Sequence, residues 1–386
     1  MVDSPSERRT SHSAAMAVRI LAPLLICMLA GCATRPGPEV LTPVAASVPA
    51  AKVVTVYVAT TRERASPRSN VFTNARAREL NYAEFKISIP PRHQAGQIEW
   101  PQMPDPATSF TTVQQNVLDR QTFEQRIAVR DGRPGRLKVG VFVHGFNNNF
   151  QEALFRLAQM TADAEVDGAA VLFAWPSQAK VTDYVADRDA VTYSRDQLVD
   201  LLTMLAANRS IAEISVIGHS MGAWLTVEAL RQLRLARNNA VINRLNVILA
   251  APDIDVDVFR AQMEVVGPLS PPMTVLVARD DIALAWSGRI AGARQRVGTL
   301  AVDDPRVEEA ALKANIRIID ISTLKASDAF NHERYANLAA LYRRLAATES
   351  DGADHDLRRA GAFIFNAVGT TLSSPFGLAG SALSGQ

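Results

Sequence analysis

Within ISVIGHSMGAWLTVEAL (214–230), Gly218, Ser220 and Gly222 form the pattern G-x-S-x-G. Between a buried strand and a helix, this pattern places a serine on a sharp turn whose flanking residues must lack bulk. The helix that follows points its N-terminus, with its unpaired N–H groups, at any negative charge forming there. A serine hydroxyl is a weak nucleophile near neutral pH and needs a base to take its proton.

The chain has six histidines. His12 falls in a leader-like segment. His93 and His355 sit in polar sequence and are expected to be solvated. His144 follows a strand and is expected to shape its loop, and His219, inside the motif, to point away from the reaction. His332 comes after the last strand and before the last helix, as the chain order serine, acid, histidine requires; His355 is the alternative. The acid must be fixed near strand ends to orient the imidazole. Asp280 and Asp281 follow MTVLVAR, and Asp253 and Asp255 follow VILAAP. The later pair fits better, although either member could simply cap the helix beginning at IALAWSGRI; spacing does not separate Asp280 from Asp281. Two N–H groups should receive a developing oxyanion: Met221, just after the serine, and Phe146, in the loop after VGVFV. Asn147, Asn148 and Asn149 are expected to cap the next helix, with a reach into the pocket as the alternative.

These residues need a scaffold. VVTVYV (53–58) and YAEFKISI (82–89) read as strands, the second stopped by Pro90 and Pro91 before a turn at Gly96. RERASPRSNVF (62–72) reads as loop. Residues 102–136 show no clean period beyond a short helix expected near 114–118. From 137 onward, apolar strand runs (LKVGVFVHG, AAVLFAWP, EISVIG, RLNVILAAP, MTVLVARD, NIRIIDIS) alternate with amphipathic helices (FQEALFRLAQMTADA, SRDQLVDLLTMLAAN with Ser194 as N-cap, WLTVEALRQLRLA, NHERYANLAALYRRLAA). Such alternation predicts an α/β fold: a mostly parallel sheet with helices on both faces, plus an N-terminal β extension. The expected divisions are 53–136 for the extension, 137–350 for the core and 351–386 for a tail; from 360 on the tail carries no charged residue.

The N-terminus reads as an address. Arg19 precedes a short apolar run from Ile20 to Ala30, too short to span a membrane. Leu29-Ala30-Gly31-Cys32 resembles a bacterial lipobox, which implies cleavage after residue 31 and lipidation of Cys32. Met16 is then the expected true start. Ala33 after the cysteine implies, by resemblance to Gram-negative lipoproteins, an outer-membrane destination facing the periplasm. Residues 32–52, rich in Pro and Ala, read as a tether.

The segments ISIPPRHQAGQIEWP, VFVHGFNNNFQEAL, FAWPSQAKVTDYVADRDAVTYSRDQL, VIGHSMG, LAAPDIDVDVF, ARDDIALAWSGRI and NHERY together resemble the bacterial α/β-hydrolase family DUF900, of the esterase/lipase superfamily. The resemblance implies the α/β-hydrolase fold and serine chemistry. Its acid motif D-x-A-L-x-x-S falls on Asp281 to Ser287, which favours Asp281. Its H-S-Y becomes His332-Glu333-Arg334-Tyr335, one residue longer. The connection AWPSQAKVTDYVADRDAV (174–191), with Trp175 and Tyr184, is expected either to wall the substrate pocket or to be a plain surface loop.

The expected protein is a lipid-anchored serine hydrolase with Ser220, His332 and Asp281 as its triad. A carboxylesterase acting on a small-molecule or lipid-like ester is the leading expectation, and an amidase or thioesterase would use the same apparatus. From another class, a non-catalytic envelope-binding lipoprotein could use the same scaffold. The sequence has no H-E-x-x-H motif, so neither metal nor cofactor is expected. A net charge of +2 gives no reason to expect nucleic-acid binding.

Overall fold

The computed structural model describes residues 35–45, 48–101, 103–128, 137–164 and 168–337. Cys32, the expected signal segment, His355, the tail and most of the expected last helix lie outside them. One compact unit begins at Pro38. Its elements follow in chain order: β1 (Lys52–Arg64), β2 (Phe72–Ile89), β3 (Thr111–Leu118), α1 (Arg120–Ala128), β4 (Leu137–Val143), α2 (Phe150–Ala164), β5 (Ala169–Ala174), α3 (Tyr184–Tyr193), α4 (Arg195–Ala207), β6 (Ile211–His219), α5 (Met221–Leu235), α6 (Asn239–Ile242), β7 (Leu245–Ala250), α7 (Val256–Val266), β8 (Met273–Val277), α8 (Ile282–Ile290), α9 (Pro305–Ala314) and β9 (Ile316–Asp320).

The strands form one sheet in the order β3-β2-β1-β5-β4-β6-β7-β8-β9. From β1 to β9 across that order all neighbours are parallel; β2 and β3 add an antiparallel meander at one edge. Successive residues face opposite sides, and both sides are buried. Val141, Val143, Val216 and Val247 enter one core, under α4 and α5, while Phe142, Ile217 and Ile248 enter the other, under α2. This is why the strands read as continuous apolar runs. From β4 the chain proceeds outward to β5 and then returns to β6 on the other side. The crevice at the carboxyl ends of β4 and β6 is therefore the topological switch point, where α/β sheets bind ligands.

Several expectations need correcting. The N-terminal β extension continues the main sheet, since β1 pairs in parallel with β5. Residues 114–118 are strand, because β2 offers a free edge and the run TTVQQNVL is rich in β-branched residues. The helix comes next, capped by Asp119, whose Oδ1 accepts the Thr122 N–H at 2.7 Å. The segment 62–72 is partly strand, as β1 runs on to Arg64. The tether ends early: a 3-10 turn at Pro38–Leu41 buries Val40 and Leu41, and Thr112 Oγ1 donates to the Val40 carbonyl at 2.9 Å. Burying a Val or Leu contributes roughly 1.5–3 kcal/mol, enough to offset about 1–2 kcal/mol per residue of ordering entropy. Ser194 stands at the N-cap position of α4 as expected, but its side chain makes no capping bond. It sits in helical conformation where α3 runs into α4, and its hydroxyl bonds the Ala190 carbonyl and Thr61 Oγ1, both at 2.8 Å. His93 is not solvated either. Its ring bridges Glu99 at 2.7 Å and Asp163 at 2.9 Å, clipping the β2–β3 connection onto α2.

Candidate active site

Ser220 occupies the single position between β6 and α5, at φ 54° and ψ −119°. A non-glycine residue at positive φ stores roughly 1–3 kcal/mol of strain and needs support from its surroundings. Here the Ser220 N–H bonds the Ala250 carbonyl at 2.9 Å, and the Ser220 carbonyl accepts the Asp253 N–H at 3.2 Å, so the end of β7 holds the turn. A Cβ on Gly222 would strike the carbonyls of Val143 and His144, and one on Gly218 would meet Thr226 Oγ1 at 2.6 Å. Gly222 thus lets the serine turn pack flush against the end of β4, and Gly218 lets α5 close onto the end of β6.

The structure separates the two neighbouring aspartates. Asp281 is buried and divides its oxygens: Oδ1 caps α8 by accepting the Leu284 N–H at 2.9 Å, and Oδ2 accepts from His332 Nδ1 at 2.7 Å. Helix capping and histidine contact are therefore both true of one residue. Asp280 points outward and pairs with Arg334 at 2.6 Å, which holds its carboxyl below the usual carboxylate range. Arg334 also bonds the carbonyls of Leu324 and Asn331, so Asp280 braces the loop that carries the histidine. Asp328 supports that loop from the other side by accepting the His332 and Glu333 N–H groups, each at 2.9 Å. Burial pulls the His332 imidazole down, but the charge and hydrogen bond of Asp281, with Asp328 and Asp253, carry it above its ordinary value. Of the other acids weighed, Asp255 caps α7 and Asp253 forms a buried ion pair with Arg296 at 3.1 Å.

The Ser220 hydroxyl and the His332 ring share the rim of the sheet but are not joined by a hydrogen bond. The link between them is His219, whose role was missed from sequence. Rather than pointing away, its ring packs 4.6 Å from that of His332 and 4.2 Å from that of Tyr335. Its Nε2 donates to the His332 carbonyl at 3.4 Å. Burial holds this imidazole well below its ordinary value, so it is neutral and serves as a packing block. The longer spacing before Tyr335 has a use as well, because Glu333 pairs with Arg156 of α2 at 2.5 Å.

The loop after β4 lies directly against the serine. A Cβ on Gly145 would sit 2.9 Å from Ser220 Cβ and 2.8 Å from His219 Nδ1. Phe146 follows, its ring edge-on to Tyr184 at 5.3 Å. Met221 opens α5, where an N–H has no acceptor within its own helix. His144 does shape this loop. Its ring stacks on Trp175 at 4.8 Å, and Trp175 Nε1 donates to the His144 carbonyl at 2.7 Å. Burial pushes His144 down to about 3, so it stays neutral. Trp175 is fully buried and supports the loop from behind rather than walling the pocket; the rest of that connection is largely α3, with Tyr184 turned toward Phe146. Asn149 caps α2 reciprocally: its Oδ1 accepts the Glu152 N–H, and Glu152 accepts the Asn149 N–H, both at 2.9 Å.

Residues 120–349 match the family described as alpha/beta hydrolase of unknown function (DUF900). The chain belongs to this family. Its sheet order, parallel pairing and two-sided helix layers are those of the α/β-hydrolase fold. Ser220, Asp281 and His332 all fall inside the matched family region, whereas β1–β3 precede it. The uncharacterized protein alr1448 of Nostoc sp. is 40% identical over 65 residues, a stretch covering 17% of each chain. A putative cell surface hydrolase from Lactobacillus plantarum WCFS1 aligns over 60% of this chain and 99% of its own, with 9% identity and a TM-score of 0.35. A putative hydrolase from Agrobacterium vitis S4 aligns over 69% and 96%, with 10% identity and a TM-score of 0.30.

Proposed function

We propose that this protein is a serine hydrolase, acting as a carboxylesterase through Ser220, His332 and Asp281. The observation that carries the reading is the 2.7 Å bond between buried Asp281 and His332, on the same rim as a serine held at positive φ. The acid fixes the imidazole with its other nitrogen free for chemistry and stabilises the imidazolium that forms. The missing serine–histidine bond accords with free enzymes, where such contacts are often long until substrate binds.

In the proposed reaction the Ser220 hydroxyl gives its proton to His332 Nε2 as its oxygen bonds the ester carbonyl carbon. The N–H groups of Met221 and Phe146 receive the resulting oxyanion. Collapse breaks the bond to the leaving alkoxide, which takes the proton from His332 and departs as alcohol. Water then gives a proton to His332 and attacks the acyl carbon. The acid leaves, and the proton returns to Ser220.

Fluorophosphonate labelling tests this directly. Wild type labels and Ser220→Ala does not; a folded wild type that resists the probe points instead to a non-catalytic envelope-binding protein. A panel of p-nitrophenyl esters, thioesters and anilides then separates esterase from thioesterase or amidase action. The proposal includes lipidation at Cys32 and an outer-membrane location. Wild type should take up labelled palmitate and fractionate with the outer membrane, and Cys32→Ser should do neither.

A further inference from the structure

Arg62 is among the largest fully buried side chains, yet it is a cation on a strand that lies outside the family-matched region. It sits where the β1–β2 pairing shifts register, just past the last residue of β1 that pairs with β5. Its guanidinium crosses to the loop after β4, where NH2 donates to the Asn148 carbonyl at 3.1 Å. The other arm is anchored on β2, NH1 donating to Asn74 Oδ1 at 2.9 Å. The same loop also meets Asp187 of α3. Its Oδ2 accepts the Asn147 N–H at 3.5 Å and the Ser177 hydroxyl at 2.6 Å, and its Oδ1 accepts the Gln178 N–H at 2.7 Å. Burial pushes the Arg62 guanidinium down to about 10, opposed by the charges of Asp187 and Glu152, so the cation persists at neutral pH.

The clamped residues matter because of their neighbours. Asn147 has φ 60°, a left-handed conformation, and follows Phe146 directly. Gly145, on the other side of Phe146, lies against Ser220. The Phe146 N–H therefore belongs to a strained loop whose far end is held by a buried cation from one strand and a buried anion from one helix. A donor aimed at a developing charge acts best when its direction is set beforehand, and a displacement of about 1 Å costs on the order of 100-fold in rate.

We propose that Arg62 is a positioning residue for the oxyanion loop, so that β1, outside the family-matched region, completes the catalytic apparatus. This rests on the serine-hydrolase reading above. Arg62 touches no reacting atom; it acts through the Asn148 carbonyl.

The test is steady-state hydrolysis of p-nitrophenyl butyrate by Arg62→Met, with active sites counted by fluorophosphonate titration and with inhibition by phenylboronic acid, which becomes tetrahedral on the serine. The expected result is a kcat per titrated site lower by about 10–100-fold, KM within about twofold of wild type, and boronate affinity weakened by the same factor as kcat. A merely structural role would reduce the number of titratable sites and leave kcat per site unchanged. Arg62→Lys keeps the charge, but its ammonium is a single point in place of a fork, so an intermediate loss with the same split is expected. That variant carries the test should Arg62→Met fail to fold. A kcat per site within threefold of wild type, or a loss confined to KM, overturns the inference. Ser220→Ala is measured alongside. If it retains the esterase activity, the serine-hydrolase reading fails; if it loses activity while Arg62→Met does not, only the role of Arg62 fails.

Discussion

Replacing Asp281 by Asn removes a charge from the proposed triad while keeping the shape of the side chain. Asp281 gives one oxygen to the N-terminus of α8 and the other to His332. Asparagine preserves the cap, worth about 1 kcal/mol, because its oxygen still accepts the Leu284 N–H. Its amide then faces His332 Nδ1 as a donor, which selects the tautomer with the proton on the nitrogen facing the serine. The base is blocked and the imidazolium loses its counter-charge. For a triad of this geometry the expected loss in kcat is on the order of 10³–10⁴, or about 4–5.5 kcal/mol at 1.36 kcal/mol per tenfold. The pH profile supplies an independent reading. As a base, His332 must be neutral, so kcat/KM should rise with pH through the free-enzyme value of this imidazole. In wild type that limb should lie above the ordinary imidazole value, because Asp281 outweighs burial. In Asp281→Asn burial remains and the main opposing charge is gone, so the limb should move to lower pH. Stopped-flow or plate-reader hydrolysis of a p-nitrophenyl ester between pH 5 and 9 gives both quantities. Asp280→Asn is the control; its carboxylate meets Arg334, and kcat should stay within about tenfold. A kcat for Asp281→Asn within tenfold of wild type, or an acid limb that stays in place or moves to higher pH, would refute the assignment.

Two further outcomes follow from the packing. Gly222→Ala should destabilise the protein by about 1–3 kcal/mol or more, read as a lower urea midpoint, because the added methyl meets backbone carbonyls that cannot move aside; an unchanged midpoint would contradict the flush packing of the serine turn. His93→Gln should lower thermal stability in a pH-dependent way. Burial lowers the His93 imidazole, but its bonds to Asp163 and Glu99 raise it overall, while Asp163 is held below its usual range despite its own burial. A raised histidine stabilises fully below its unfolded-state value and loses that contribution as pH climbs through the folded value; a depressed carboxylate does so in the opposite sense. The gap in Tm between wild type and variant should therefore be widest between the ordinary carboxylate and imidazole values and narrow above them, and a gap independent of pH would remove the ion pairs from the account.

The sequence by itself determined what short-range chemistry can determine. Strand and helix periods from residue 137 onward and the serine between a strand and a helix arise from neighbours a few residues apart, and their positions agree with the fold. The tertiary structure decided the rest. Asp280 and Asp281 are adjacent and chemically identical, and both meet the same distant loop; they differ in that Asp281 meets the His332 ring whereas Asp280 meets Asn331 and Arg334. Residues 111–118 became a strand because β2 offers them an edge, and His93 became buried because Asp163 of α2 is there to meet it. Arg62 looked like a loop residue until the chain brought Asn148, 86 positions away, within reach of its guanidinium. In each case the deciding energy is a contact between distant segments, and such a contact exists only once the sheet has assembled.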